Sequence, residues 1–385
     1  MKLYIFGRQA GIAAVELENL VGAKNLTRLG DIAALVENIE PQQSELGGSA
    51  KTCDVIKVLA GNSKDALSYL AGNTSLLLKN AKLDRKIKLG VSVYGENISN
   101  KALHAMSISL KNSIRKSGFS VRLMDNKTPQ LSAAQILYNK LTHENGIDLT
   151  IVSHGGKSYI AQTIAVQDID DYTVRDRGRP KRDARIGMLP PKLAQIIINL
   201  SYSGSKQTLL DPFCGTGVIL QEALLKGYEV YGTDINNRMI DYSRDNLNWL
   251  QKKYPVKNSW QLHEGDATNT SWQQPIDSVA CETYLGRPFT SMPENELLEK
   301  NRADCDTIIR KFLENIHPQL KSGTRLCLGV PAWFAKNRTY HLKTLDYLEE
   351  IGYNRISFVH AKNNELIYHR EGQIVGRELL VLTRR

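Results

Sequence analysis

The chain has 385 residues, enough for two or three domains each with its own core, and its 42% apolar and 23% charged content is ordinary for a soluble globular protein. No apolar run approaches a membrane span, the opening MKLYIFGRQAG lacks the apolar stretch of a secretory leader, and five cysteines without a CxxC pair support neither a metal site nor a disulfide framework. The pattern points to a reducing cytoplasm, and the formal net charge of +10 favours a polyanionic partner.

From the N-terminus, KLYIFG, IAAVELENLVG and AALVENI read as short strands and amphipathic helices, and a first domain is expected over residues 1–78. Over 79–169 the chain continues as IKLGVSVYG, a helix across 103–117, FSVRLM, a helix across 132–141, DLTIVSHG and YIAQTIAVQ. Strands interleaved with helices in so short a span predict a small α+β sandwich of the split βαβ kind. Between Lys79 and Lys127 eleven basic residues face three acids, Asp84, Glu96 and Asp125, which makes nucleic acid the leading partner.

Residues 170–189 are polar, rich in Arg and Asp and punctuated by Gly178, Pro180 and Gly187, which predicts a basic linker or recognition arm. Arg175, Arg177, Arg179, Lys181 and Arg182 are its candidate phosphate contacts, in an arm that runs on to Arg185. An ion-paired linker is the competing interpretation, since Asp176 and Asp183 lie among these bases. PPKLAQIIINLS then predicts a helix opened by Pro190 and Pro191.

Residues 190–385 follow a regular α/β order. LLDPFCGTG, ending at Gly217, breaks an apolar run into an acidic residue and a glycine-rich turn, and the helical pattern VILQEALLKG follows. Such a strand, loop and helix N-terminus cradle nucleotide-like ligands. The G-x-G-x-x-G spacing of a dinucleotide site and the Lys-Ser/Thr of a P-loop are both missing, which leaves an adenosine cofactor without a phosphate to neutralise. Seventeen residues past Gly217, a second apolar run ends in Asp234, where a ribose diol would lie. WQLHEGDAT gives a third strand with Asp266 behind it, IDSVACETYLG a fourth, RLCLGVP a fifth, HLKTLDYLEEIG a helix, ISFVHA a sixth strand and ELLVLTRR a seventh. The last two are expected to pair antiparallel, on an otherwise mostly parallel, Rossmann-like sheet.

DPFCGTG, Asp234, Gly265 to Ala267 and the loop after strand four resemble motifs one to four of class I S-adenosylmethionine-dependent methyltransferases. With YIFGRQ, LGGSAK, RDRGRPKRDA and GMLPPKLAQIIINLS, the chain is similar to the THUMP-containing tRNA guanosine-N2 methyltransferase family, closely after Tyr172 and loosely before it. That resemblance implies an N-terminal ferredoxin-like domain over 1–78, a THUMP-like RNA-binding domain over 79–169, and S-adenosyl-L-methionine as cofactor. It implies cofactor contacts from Asp211, Phe213, Cys214, Gly215, Thr216, Gly217, Asp234, Ile235, Asp266 and Ala267. Asp211 would face the ammonium group, Asp234 both ribose hydroxyls and Asp266 the adenine amino group.

Relatives of this kind usually carry Asp/Asn-Pro-Pro-Tyr after strand four, where this chain has Cys281-Glu282-Thr283-Tyr284-Leu285-Gly286. Glu282, Thr283 and Tyr284 are the expected catalytic residues, with Glu282 accepting from the target amine and Tyr284 stacking on the extruded base. The expected partner is tRNA, with no membrane and no metal, and the chain is expected to act as a monomer. An amino methyltransferase acting on DNA adenine and a non-catalytic RNA-binding protein are the alternatives, the second suggested by the departure at 282–285.

Overall fold

The computed structural model of the chain describes residues 1–79, 82–183, 188–204, 208–289, 291–335 and 338–385. They form two compact units. The first is Met1–Leu17, Val21–Ser44 and Gly48–Asp170, and the second is Glu18–Leu20, Glu45–Gly47 and Asp171–Arg385.

The first unit is built on one sheet. Its strands are β1 (Lys2–Phe6), β2 (Leu26–Leu29), β3 (Ala33–Val36), β4 (Ser49–Ala60), β5 (Ile87–Tyr94), β6 (Val121–Leu123), β7 (Gly146–His154) and β8 (Lys157–Val166), in the order β2-β3-β1-β4-β8-β7-β5-β6. The twelve-residue β4 pairs antiparallel with β1 on one side and β8 on the other. The sheet is therefore continuous across residue 78, which lies at the end of a four-residue helix, Ser75–Leu78. Helices Ser63–Gly72 and Asn100–Lys116 are started by side-chain caps from Asn62 and Ser99. They bury Leu67, Leu70, Leu103, Leu110 and Ile114 against Leu89, Val91, Leu149 and Ile151 of β5 and β7. Each such side chain contributes about 1.5–3 kcal/mol on leaving water. In the middle of the sheet Lys51 of β4 meets Asp148 of β7 at 3.3 Å, both fully enclosed, and Thr163 donates to the same carboxylate at 2.6 Å.

The second unit carries β9 (Thr208–Asp211), β10 (Glu229–Asp234), β11 (Trp260–Glu264), β12 (Ser278–Glu282), β13 (Arg325–Ala335), β14 (Arg338–Tyr340), β15 (Tyr353–Arg355), β16 (Ile367–Tyr368) and β17 (Val375–Arg384). The order is β11-β10-β9-β12-β13-β17-β15, with β14 on β13 and β16 on β17. Strands β9 to β13 pair parallel, and β17 runs antiparallel to both β13 and β15. This is the Rossmann-like sheet expected, with its strand order reversing between β9 and β12. Helix Pro191–Ser201, opened by proline and buried along its whole length except Lys192, precedes β9.

Three elements differ from expectation. The first half of the arm is helical, Ile169–Arg177, because Tyr172 and Arg175 on it are buried rather than solvated. HLKTLDYLEEIG does not form one helix; it breaks into a 3-10 turn, Lys343–Asp346, and a single turn, Leu348–Ile351, closed by Gly352 at φ +98°. ISFVHA is not a strand. The sixth strand lies just before it, where Tyr353 is fully buried and its hydroxyl donates to the Leu313 carbonyl at 2.9 Å. The edge of β17 explains the shift: residues 382–384 pair with β15 and 377–378 with β16, which leaves ISFVHA little strand to join. Val359 is 76% exposed as a result.

Candidate active site

Ligands of open α/β sheets collect beyond the carboxyl ends of the strands where the order reverses. Here that point lies between β9 and β12, and four acids stand at or just after neighbouring strand ends: Asp211, Asp234, Asp266 and Glu282. The three aspartates share one local device, a carboxylate that accepts from the backbone N–H two residues on. Asp211 accepts from Phe213 at 3.1 Å, Asp234 from Asn236 at 2.9 Å and Asp266 from Thr268 at 2.9 Å.

Asp234 also clamps the glycine loop, its other oxygen accepting from the Gly215 N–H at 2.9 Å. An ionised carboxylate has about four acceptor positions, so two remain for a ligand's paired hydroxyls. Gly215 sits at φ +51°, and a Cβ there would meet nothing within 4 Å, so a ligand can approach its main chain closely. Gly217 differs. It caps helix Val218–Leu225 at φ +78°, and a Cβ would come 2.9 Å from Ser243 Oγ, so that position is reserved for glycine by both conformation and space.

Burial pushes the Asp211 carboxyl well above its ordinary range, with the charges of Asp234 and Glu282 adding to the shift. Asp234 is raised as well, chiefly by burial. A crevice in which clustered carboxylates hold their protons too tightly is one that a cationic ligand relieves. Burial also pushes the thiols of Cys214 and Cys281 far up, so neither is a thiolate nucleophile at neutral pH. Ile235 stands 68% exposed beside Asp234, an apolar face open to a flat ring, while Ala267 is buried and Phe213 packs edge-on against Phe312 at 5.2 Å.

Glu282 ends β12 with one oxygen held by Arg377 Nε at 2.6 Å. Thr283 turns inward, its N–H and hydroxyl both donating to the Gly329 carbonyl at 3.0 and 3.3 Å, so it anchors the loop rather than facing a substrate. Tyr284 is 41% exposed and free to stack. Asn301 fixes the loop's far end. Its carbonyl oxygen accepts from the Arg287 N–H at 2.8 Å, and a Cβ on Gly286, at φ +85°, would strike its side chain. Arg377 and Asn301 were not anticipated; their partners are 95 and 14 residues away, and neither belongs to a recognisable motif.

The five bases expected to form one face of the arm are divided by the structure. Arg175 is buried and ion-paired to Glu222 at 2.8 Å and to Asp171, and Arg179 is buried against Thr216. Arg177 and Arg182 are exposed, and Lys181 is half-exposed beside Asp245. Residues 184–187, Arg185 and Gly187 among them, lie outside the described residues. In the first unit, the eleven bases from Lys79 to Lys127 are all exposed except Lys88 and Lys111, which are half-buried. Among the described residues no cluster of His, Cys, Asp and Glu is placed to hold a metal ion, and no helix is long and apolar enough to cross a membrane.

Comparison with known proteins gives the site a context. Residues 179–334 match the family described as UPF0020, RMKL-like methyltransferase domain. A tRNA (guanine(10)-N2)-dimethyltransferase of Methanothermobacter thermautotrophicus is 32% identical over 145 residues, covering 38% of this chain and 39% of that protein. The enzyme of the same name from Pyrococcus abyssi is 27% identical over 278 residues, 68% of this chain and 76% of its own length. The crystal structure of TrmN from Thermus thermophilus shares the fold, with a TM-score of 0.53 and 14% identity over 100% of this chain and 99% of that one.

Proposed function

We propose that this protein, whose residues 179–334 match the RMKL-like methyltransferase domain, is a class I S-adenosylmethionine-dependent methyltransferase that methylates the exocyclic N2 amino group of guanosine in tRNA. The observation that carries the proposal is the pairing of an acid-lined crevice with a single short loop bearing an open acceptor, Glu282, and an exposed ring, Tyr284. The names of the two curated relatives support the choice of base and RNA.

When bound, the cofactor supplies a methyl group already activated on a sulfonium, so alignment of the nucleophile is the main task left to the protein. Asp234 accepts from the ribose hydroxyls with the positions that Gly215 and Asn236 leave open. Asp266 takes the adenine amino group through the oxygen that Thr268 does not occupy, Ile235 covers the ring, and Asp211 faces the ammonium. The main chain of Gly215 to Gly217 borders the methionine portion, with Phe213, Cys214 and Ala267 as the packed wall behind. On the other side, the free oxygen of Glu282 accepts an N–H of the guanine amine and turns its lone pair toward the methyl carbon, while Tyr284 stacks on the base. The bound cofactor would supply the methyl group and keep the electron pair of its broken bond on sulfur; what this chain supplies is the hold on the amine by Glu282 and on the base by Tyr284.

We assign RNA capture to the first unit, as a ferredoxin-like and THUMP-like module whose exposed bases between Lys79 and Lys127 meet the phosphate backbone, assisted by Arg177, Lys181 and Arg182 of the arm. The protein acts as a monomer in the cytoplasm. Tritium transfer from labelled cofactor tests the proposal. Label should enter bulk tRNA, depend on Asp234, and be lost in Asp234→Ala. Preferential labelling of duplex DNA would replace the substrate, and cofactor binding without transfer to any unmodified RNA would contradict the reaction.

A further inference from the structure

Two arginines among the described residues of the arm are buried, and they differ in what they touch. Arg175 is ion-paired through Nε to Glu222 and through Nη1 to Asp171. Arg179 is 3% exposed and makes one hydrogen bond among the described residues, from Nη1 to Thr216 Oγ1 at 3.2 Å. Its Nε and Nη2 are buried with no hydrogen-bond partner among the described residues. A guanidinium keeps its charge and its five N–H donors under any working condition, so two open donors in the interior are costly unless an acceptor arrives. Burial is also what most lowers its hold on a proton, and the nearby charges of Asp176 and Glu222 do not offset it.

Thr216 is the middle residue of the glycine loop, between Gly215 with open space above it and the tightly packed Gly217. Arg179 thus stands at the loop expected to border the methionine end of the cofactor. That end is a zwitterion. Asp211, buried at the tip of β9, complements its ammonium and leaves the α-carboxylate without a stated partner. An arginine presents adjacent N–H groups in a fork that matches a carboxylate, and burial strengthens such a pair.

We propose that Arg179 is the carboxylate-binding residue of the cofactor site, its unpartnered Nε and Nη2 receiving the α-carboxylate of the methionine moiety. This rests on the cofactor assigned above. It moves Arg179 out of the group of RNA contacts and leaves Arg177, Lys181 and Arg182 to the phosphates. It also couples the arm to cofactor loading, since the residue reading the ligand's far end belongs to the segment that precedes the domain's first strand.

Calorimetry on the full chain separates this from a purely structural brace. S-adenosylmethionine and its decarboxylated analogue are titrated into wild type, Arg179→Gln and Arg179→Lys. Wild type should prefer the intact cofactor by roughly 10- to 100-fold, the range for a hydrogen-bonded charged partner. Arg179→Gln should lose that factor for the intact cofactor alone, so that its preference disappears, and Arg179→Lys should retain part of it. Comparing the two ligands across variants cancels the difference in their net charge. Should Arg179→Gln fail to fold, wild type and Arg179→Lys still decide. A wild type that does not distinguish the ligands, or a variant that keeps the full preference, overturns the assignment. A wild type that binds neither ligand removes the cofactor itself, a separate and recognisable failure.

Discussion

The side of the crevice proposed for the cofactor and the side proposed for the methyl acceptor are fixed by different means. On the cofactor side Asp211, Asp234 and Asp266 each bond the N–H two residues ahead, so each carboxylate is aimed by its own turn. On the acceptor side every anchor is distant: Glu282 on Arg377 of β17, Thr283 on Gly329 of β13, and Arg287 on Asn301 of helix Asn295–Ile316. A site made of local turns tolerates change elsewhere in the domain. A loop held by three separate elements is aimed by the whole domain, and its aim can be altered without touching the cofactor.

Glu282→Gln tests this division most strongly. It should slow methyl transfer by on the order of 10²- to 10³-fold, as expected when one oriented hydrogen-bonding group is impaired, while the calorimetric affinity for cofactor stays put. A parallel loss of cofactor affinity would show that the two sides are not separable. Asp234→Asn is the converse case. It keeps the shape but removes the charge and half of the acceptor capacity, and should weaken cofactor binding by roughly 10- to 100-fold, read by the same titration.

The two glycines sharpen the comparison within one loop. Gly217→Ala should destabilise the fold by about 1–3 kcal/mol in chemical denaturation, because the left-handed backbone and the close approach to Ser243 both oppose a side chain. Gly215→Ala meets no atom of the protein, so its larger effect should fall on cofactor affinity. Arg377→Met should lower the turnover number by about tenfold and leave the cofactor titration unmoved, with Arg377→Lys recovering part of the loss. Loss of stability without that split would reduce Arg377 to a packing residue.

The smallest expected effect is that of pH. Asp211 and Asp234 hold their protons more tightly in the folded chain than in the unfolded one, so the ligand-free protein is favoured at low pH and loses that stability as pH rises through their elevated values. Cofactor binding requires the ionised forms and changes in the opposite sense. The thermal stabilisation given by saturating cofactor should therefore grow from mildly acidic to neutral pH, and a flat profile would exclude these two acids from the site.

What was legible beforehand follows the same division. DPFCGTG and the two later aspartates could be read because their turns are encoded in consecutive residues, and the succession of β9 to β13 along the chain could be read from its apolar runs. The exact place of the sixth strand was not legible. ISFVHA is the more apolar run, yet the edge of β17 is divided between YNR and IY by long-range pairing. Strand β4 was obscured by Lys51, whose buried charge reads as surface until Asp148 is seen opposite it. The arm misled for a related reason: five bases in eight residues look alike in sequence, and only packing separates Arg175 and Arg179, turned inward, from Arg177 and Arg182. Arg377 had no signal at all, being an ordinary strand residue until β17 inserts antiparallel beside β13.

The central claim, methyl transfer to a guanine amine of tRNA, is tested most directly on the product. An unmodified tRNA transcript incubated with the purified chain and S-adenosylmethionine would be digested to nucleosides and analysed by mass spectrometry. The account predicts N2-methylated guanosine, formed by wild type and reduced by on the order of 10²- to 10³-fold with Glu282→Gln at matched enzyme concentration and reaction time. Methyl groups found only on another atom or base, or an unchanged digest from a protein that binds the cofactor, would contradict it.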